Sequence, residues 1–189
     1  MKRKLRILAF LIVVLPSVLW AFPADDVIPL PNRDYLPAVR KAIQNAKKSL
    51  HIFMFAARYY PQYKDDPNSL LLQDIIDAHK RGVEVIVILD ASGWNVSNTV
   101  YNKRFGDSLR SAGVPVYYDP IDVTSHDKLI IIDGYITFVG SHNWSYFALA
   151  RNNEASVMIK SKEVAEFFEQ HFQDVLRLST KDVPKEILE

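Results

Sequence analysis

A histidine and a lysine two positions apart are the residues of this sequence best placed to do chemistry. His126 and Lys128 open a run that continues as four aliphatic residues, Leu129 to Ile132. An uninterrupted aliphatic run predicts a central strand covered on both faces. Residues two apart on a strand project from the same face, so an imidazole lies beside an ammonium group. A rigid buried strand is a good support for such a preorganised pair.

Small and amide residues follow the next predicted strand, in the segment Gly140 to Ser145. A helix is predicted to begin near Ser145, so backbone N–H groups and the Asn143 amide can face an anion. A phosphate fits that description. Ser141 and Ser145 are predicted either to contact the phosphate or to cap the helix. Glu154 precedes a further strand, where its carboxylate can reach back to a histidine.

Asp133 has two competing interpretations. Asp133-Gly134 is a dipeptide favoured in two-residue hairpin turns, and it lies between two predicted strands. The turn explains the aspartate without any chemistry. A direct catalytic role is the alternative.

The other histidines are predicted to lie outside the site. His142 alternates with Ser141 and Asn143 and should therefore face aside. His51, His79 and His171 have no metal-ligand spacing among them, so no metal and no other cofactor is expected.

Composition limits the classes of protein that the chain can belong to. It has 189 residues, 49% of them hydrophobic, which fits one domain with a sizeable core. The lack of cysteine excludes disulfides, thiolate zinc sites and a cysteine nucleophile. Four of the 23 basic residues lie within the first six positions, leaving 19 against 22 acidic residues. Because the body is slightly acidic, a nucleic-acid substrate needs a local basic groove.

Residues 1–22 are predicted to be a signal peptide or a membrane anchor. Basic residues precede a long apolar run, but no small residue stands two positions before Ala21, which weakens a cleavage site. Residues 5–22 are at the lower limit of length for crossing a bilayer. The body is then exported if the source is bacterial, to be periplasmic, secreted or held in the inner membrane. The proline-rich residues 23–32 are predicted to be a linker.

Alternating helices and strands predict an α/β fold for residues 33–180. The expected architecture is a mixed sheet with helices on both faces, followed by a C-terminal tail at residues 181–189. Predicted helices cover residues 33–48, 68–80, 98–111 and 164–178. Predicted strands cover residues 50–55, 83–89, 114–118, 128–132, 135–139 and 155–159.

Three motifs occur in order: His-x-Lys-x-x-x-x-Asp at residues 126–133, Gly-Ser-x-Asn at 140–143, and Asn-Glu at 153–154. This set resembles the phospholipase D superfamily, in particular its small single-motif members, the bacterial endonucleases and their mitochondrial relative. The resemblance extends over nearly the whole body of the chain and implies the phospholipase D fold.

The resemblance also implies roles for individual residues. In the superfamily a histidine attacks phosphorus to form a phosphohistidine, and a second histidine protonates the leaving oxygen and then activates water. His126 is the implied nucleophile, Lys128 and Asn143 the clamp on the phosphoryl oxygens, and Glu154 the group that orients the imidazole. Because the chain carries one such motif, a homodimer is expected to supply the second histidine.

Three functions remain open from the sequence. The first is a metal-independent endonuclease acting on DNA or RNA, with Arg58, Tyr59 and Tyr60 as candidates for lining a groove in which bases stack. The second is a phospholipase that cleaves membrane phospholipids, favoured by a possible membrane association through residues 5–22. The third is a non-catalytic nucleic-acid-binding or scaffold protein of the same fold.

Overall fold

The chain folds into one seven-stranded sheet with helices on both faces, and the computed structural model describes residues 21–63 and 66–188. The strands are β1 (Asp26–Pro31), β2 (Ser49–Met54), β3 (Glu84–Leu89), β4 (Val116–Tyr118), β5 (Lys128–Ile132), β6 (Ile136–Gly140) and β7 (Ala155–Lys160). The helices are α1 (Tyr35–Asn45), α2 (Pro67–Lys80), α3 (Val96–Ser111), α4 (Tyr146–Ala150), α5 (Lys162–Leu178) and α6 (Lys185–Leu188), and a 3₁₀ turn covers Asn32–Asp34.

The sheet is mixed, as predicted, with the strand order β1-β7-β6-β5-β2-β3-β4. Strands β2, β3 and β4 are parallel to one another, whereas every other neighbouring pair is antiparallel. The central strand β5 is buried along its whole length. Its residues alternate between two cores, because Ile130 and Ile132 pack with α1 and α2 while Leu129 and Ile131 pack against α5.

Apolar spacing, a capping hydrogen bond and a glycine account for the positions of α1 and α2. In α1, Tyr35, Val39 and Ile43 recur every four residues and are the buried positions. The Asp66 carboxylate accepts a hydrogen bond from the backbone N–H of Asn68 at the start of α2. Gly82 follows that helix with φ of +88°, a conformation that favours glycine.

Residues 23–32, predicted to be a linker, contain a strand instead. Residues 26–31 pair antiparallel with β7 at one edge of the sheet. Prolines are tolerated on an edge strand because their missing N–H groups can face away from the neighbouring strand. Leu30 of this segment is buried in the core, and its burial stabilises the pairing with β7.

The predicted C-terminal tail is also partly structured. Val183 is buried in the main core, and Ile187 and Leu188 pack against it as part of α6. Thr180 exchanges two backbone hydrogen bonds with Tyr118 and so extends the sheet beyond α5. Burying these apolar side chains stabilises a segment that would otherwise extend into solvent.

The predicted signal or anchor segment lies, apart from its last two residues, outside the part of the chain that the structure describes. Among the helices of residues 21–63 and 66–188, none combines the length and the apolar character needed to cross a bilayer.

Candidate active site

The directions of the strands bring the predicted site residues together along one edge of the sheet, the edge formed by the ends of the strands and not by an outer strand. Strand β5 runs antiparallel to β2 and β6, so Lys128 at its beginning lies opposite Met54 at the end of β2. Gly140 at the end of β6 lies opposite Ser156, the second residue of β7. The beginnings of β5 and β7 and the ends of β2 and β6 therefore share this edge, and with them His126, Asn143 and Glu154.

Gly140 is required here by close packing. A Cβ atom on Gly140 would lie 2.4 Å from the Cα atom of Ser156, well inside the contact distance. Glycine thus lets β6 approach β7 closely just before Ser141.

His126 is exposed, and its imidazole packs on the ring of Phe55 with the centroids 4.5 Å apart. Lys128 is buried, and its Nζ atom lies 4.9 Å from the centre of the same ring. The Lys128 ammonium donates a hydrogen bond of 2.6 Å to the backbone carbonyl of His126. Phe55 therefore supports both groups, and Lys128 fixes the backbone from which the imidazole projects.

Burial lowers the pKa of Lys128 to about 8. The carboxylates of Asp127, Glu154 and Asp90 act in the opposite sense and favour the charged form. Lys128 is therefore mostly a cation at neutral pH, in a poorly hydrated position where its charge acts strongly on an anion.

Glu154 is held by its neighbours rather than by a histidine. Its carboxylate accepts hydrogen bonds from the Ser141 hydroxyl and, at 3.1 Å, from the Asn152 side chain. The Ser141 oxygen also accepts a 3.0 Å bond from the N–H of Ala155. Among the described residues no side chain hydrogen-bonds to the His126 imidazole, so the expected contact from Glu154 is not formed in this structure. Ser141, predicted either to contact the phosphate or to cap the helix, holds the Glu154 carboxylate in this structure.

Asn143 is half-buried, and its Oδ1 atom has no hydrogen-bond partner within the described parts of the chain. The side-chain N–H groups of Asn143 also make no hydrogen bond within the described residues, and they are the part of the carboxamide that can donate to a phosphoryl oxygen. Ser145 caps α4, since its hydroxyl accepts a 3.3 Å bond from the N–H of Ala148. This agrees with the capping interpretation of Ser145.

Two carboxylates that the sequence analysis missed position the residue before His126. Asp90 and Asp119 each accept a 3.2 Å hydrogen bond from the N–H of Ser125. Asp119 also accepts from the N–H of Ala91 at 2.6 Å. Burial raises the pKa of Asp119 to about 7 and also raises that of Asp90. The sequence did contain a signal for these two residues. Each directly follows one of two parallel strands, and loops that carry function begin at such positions.

The structure does not bring Asp133 into this site. Asp133 follows the other end of β5, about 16 Å away at the usual rise of a strand. Its carboxylate accepts hydrogen bonds of 2.7 to 3.1 Å from the backbone N–H groups of Lys47, Lys48 and Ser49. With φ of 57° at Asp133 and 63° at Gly134, the pair forms the expected hairpin turn. The structural interpretation of Asp133 therefore accounts for all of its contacts.

Three of the remaining histidines, His51, His142 and His171, have structural partners. His142 is buried, as its predicted orientation required, and stacks on Tyr35 with the ring centroids 4.2 Å apart. His51 stacks on Phe172 of α5, and His171 of α5 lies 3.1 Å from Asp127. Within residues 21–63 and 66–188 no group of three or more acidic or histidine side chains is arranged to hold a metal ion.

Sequence comparison relates the chain to phospholipase D-like proteins. Residues 39–176 match the family model described as the PLD-like domain of cardiolipin synthase. A phospholipase D of Rickettsia typhi is 31% identical over 113 residues, covering 60% of this chain and 53% of the relative. A mitochondrial cardiolipin hydrolase of Xenopus tropicalis is 31% identical over 103 residues, covering 54% of this chain and 47% of the relative. The chain thus spans about half the length of these curated relatives.

Solved structures share the fold. Nuc from Salmonella typhimurium, a phospholipase D family member, has a TM-score of 0.68 at 24% identity and covers 84% of this chain and 97% of its own. NucT from Helicobacter pylori has a TM-score of 0.63 at 21% identity and covers 83% of this chain and 100% of its own.

The mixed sheet, with a histidine and a buried lysine at one edge, defines an α/β protein whose polar site is built from strand ends. The family model covers well over half of the chain. This protein belongs to the phospholipase D superfamily, as the order of its motifs indicated.

Proposed function

We propose that this protein is a phosphodiesterase that acts through a covalent phosphohistidine at His126. The observation that carries the proposal is the exposed imidazole of His126 beside the buried ammonium of Lys128, at the edge that also presents Asn143. The exposed ring can reach a substrate, and the buried cation supplies a fixed positive charge.

The proposed reaction has two displacements. In the first, a nitrogen of His126 bonds to phosphorus while the bond to the leaving oxygen breaks, and a second histidine donates a proton to that oxygen. In the second, the same histidine accepts a proton from water as the water oxygen attacks phosphorus and the P–N bond breaks. Lys128 and Asn143 stabilise the negative charge on the non-bridging oxygens throughout.

The second histidine is proposed to be His126 of a second copy of the chain. A two-fold axis beside the site would place the two imidazoles on opposite sides of one phosphate. An apolar surface near the site favours such a contact. Trp94 is 69% exposed and Val123 is 57% exposed, and the Trp94 indole donates a 2.6 Å hydrogen bond to Thr124, two residues before His126.

A nucleic acid is the proposed substrate. Beyond β2, Arg58 lies with its guanidinium carbon 4.9 Å from the centre of the Tyr101 ring, and that of Arg104 lies 5.7 Å from it. Positive charge combined with aromatic faces is the usual composition of a surface that binds single strands. Tyr59 packs against the core instead, so it does not join this group.

Phospholipid is the second candidate substrate, because the exposed apolar surface around Trp94 also suits a bilayer. The named activities of the Rickettsia and Xenopus relatives point the same way. Export or anchoring through residues 1–22 stays a prediction; cell fractionation of the full-length protein is its test.

One assay series tests the proposed reaction. Purified protein is incubated in EDTA with bis-p-nitrophenyl phosphate, single-stranded DNA, duplex DNA, RNA and phospholipid vesicles. We expect turnover by the wild type and by His79→Asn, which lies at the end of α2 near the opposite edge of the sheet, and none by His126→Asn. Turnover by His126→Asn, or turnover that needs a divalent ion, would contradict the proposed mechanism. Turnover that depends on His126 would contradict a purely non-catalytic role.

Substrate class is decided by the same series. Nucleic-acid cleavage under subsaturating conditions should weaken steeply as salt rises, because binding releases counterions. Cleavage of lipid should follow the composition of the vesicles instead. Mass spectrometry after a rapid alkaline quench should find the substrate phosphoryl group on His126, since phosphohistidine survives alkali.

A further inference from the structure

A cavity of about 680 Å³ opens beside the candidate site, and two segments of the chain line it. One segment follows β2 and contributes Arg58, Tyr60 and Tyr63. The other contributes Ser145, Tyr146 and Phe147 at the start of α4. This volume is within the range of cavities that hold small ligands.

Two aromatic side chains that line this cavity are largely exposed. Phe147 is 65% exposed and Tyr63 is 61% exposed. Each segment carries an edge-to-face pair: Tyr60 with Tyr63 at 6.4 Å, and Tyr146 with Phe147 at 5.8 Å between centroids. In such pairs one ring face stays free, which leaves a surface on which a flat ligand can stack.

The cavity is connected to the site through short pieces of chain. Arg58 is three residues from Phe55, the ring that supports His126, which limits the separation of their Cα atoms to about 11 Å. Ser145 is two residues from Asn143, which limits that separation to about 7 Å. Backbone hydrogen bonds between Trp144 and both Ala56 and Arg58 hold the two segments side by side. A ligand whose phosphate lies at His126 can therefore extend into the cavity.

The lining favours a nucleobase over an acyl chain. Among the described residues no Leu, Ile, Val or Met lines the cavity, whereas acyl chains are usually enclosed by such flexible aliphatic groups. Gln62 and Asp66 supply an amide and a carboxylate that can hydrogen-bond to a base edge. The Arg58 guanidinium, whose central carbon lies 4.9 Å from the centre of the Tyr101 ring, adds a positive charge to the lining.

We infer that this cavity binds an unpaired nucleobase next to the scissile phosphate, which makes the protein selective for single-stranded nucleic acid. The inference rests on the proposed function, since it assigns the substrate class of that site. A base within a duplex is stacked and paired, and it would have to be unstacked to enter. Duplex substrates are therefore expected to bind more weakly.

Binding measured in the inactive His126→Asn protein tests the inference without cleavage. Fluorescence anisotropy with a short labelled oligothymidylate gives the Kd. Adding Phe147→Ala should raise that Kd about tenfold, the loss expected for one stacked base. Phe147→Trp should retain binding. The matched control is Phe167→Ala, which removes a phenyl ring that is 58% exposed on α5 and should leave the Kd unchanged.

The same oligonucleotide with abasic positions identifies the group that is bound. Its Kd should be insensitive to Phe147→Ala, because no base remains to stack. The inference would be overturned if Phe147→Ala raised the Kd equally for the oligonucleotides with and without bases. It would also be overturned if Phe147→Ala raised neither Kd. If Phe147→Ala weakened the binding of anionic phospholipid vesicles and left oligonucleotide binding unchanged, the cavity would be assigned to an acyl chain instead. Wild-type hydrolysis of bis-p-nitrophenyl phosphate reports separately on the proposed function, because that ester has no base.

Discussion

The environment of Lys128 combines two effects that normally oppose each other. Burial against Phe55 lowers the pKa of the ammonium group, while three nearby carboxylates help to retain its proton. The result is a cation that is poorly hydrated and therefore effective against a phosphoryl oxygen, but only up to mildly alkaline pH.

This gives a prediction for the pH dependence of catalysis. Because the pKa of Lys128 is lowered to about 8, its charge is present below that pH and lost above it, so kcat/KM should fall as pH rises through about 8. Lys128→Arg should move this alkaline limb to higher pH, whatever its effect on the rate, since arginine keeps its proton.

The control for that experiment is Lys103→Arg, whose parent lysine pairs with Asp107 on the exposed face of α3. Its pH profile should match that of the wild type. An alkaline limb that stays in place in Lys128→Arg would assign the titration to another group.

Among the elements, the hairpin of β5 and β6 spans the sheet along the strand direction, from the end that carries the candidate site to the opposite end. At one end it begins with the Lys128 ammonium, and at the other Asp133 binds the chain that enters β2. Two of the three N–H groups that Asp133 satisfies, those of Lys47 and Lys48, belong to the connection between α1 and β2, and the third is that of Ser49, the first residue of β2. Asp133 thus joins elements that are distant in sequence, far from the site.

Asp133→Ala should therefore reduce stability rather than catalysis. Leaving backbone N–H groups without their acceptor is expected to lower the free energy of unfolding by about 1–3 kcal/mol, measured by urea denaturation. Asp133→Asn should lose less, because it keeps one acceptor oxygen and tolerates positive φ. The kcat per folded molecule should stay near that of the wild type. A large fall in kcat at unchanged stability would return Asp133 to the active site.

At the scale of the whole molecule, the described chain carries half of the proposed machinery. It has one exposed motif histidine, His126, and the exposed apolar side chains of Trp94 and Val123 nearby, which a second copy can cover. Two copies related by a two-fold axis make self-complementary contacts, which is the commonest arrangement of soluble oligomers.

Mixed dimers test this arrangement quantitatively. When wild-type and His126→Asn chains are unfolded and refolded together in equal amounts, only dimers with two wild-type chains should be active. Activity should then be about one quarter of that of the same total amount of wild type, since random pairing gives about one quarter of dimers with two His126 residues, one half with one and one quarter with none. Independent subunits would retain about one half. Sedimentation of the active species should give a dimer, and an active monomer would exclude a shared site.

Local patterns were enough to predict most of the elements and the central pair of residues. The aliphatic run after Lys128 required a buried strand, and the spacing of His126 and Lys128 required a shared face, because side chains alternate along any strand. The Asp133-Gly134 turn followed from backbone preference alone. These features depend on neighbours within a few positions in the chain.

Only the tertiary structure decided which distant groups meet. Asp90 and Asp119 converge on Ser125 because β3 and β4 are parallel neighbours that end at the same edge. Ser141 holds Glu154 because β6 and β7 pair in one register, and residues 26–31 become a strand because β7 offers them an open edge. Strand order and register depend on contacts between residues far apart in sequence, and local periodicity does not encode those contacts.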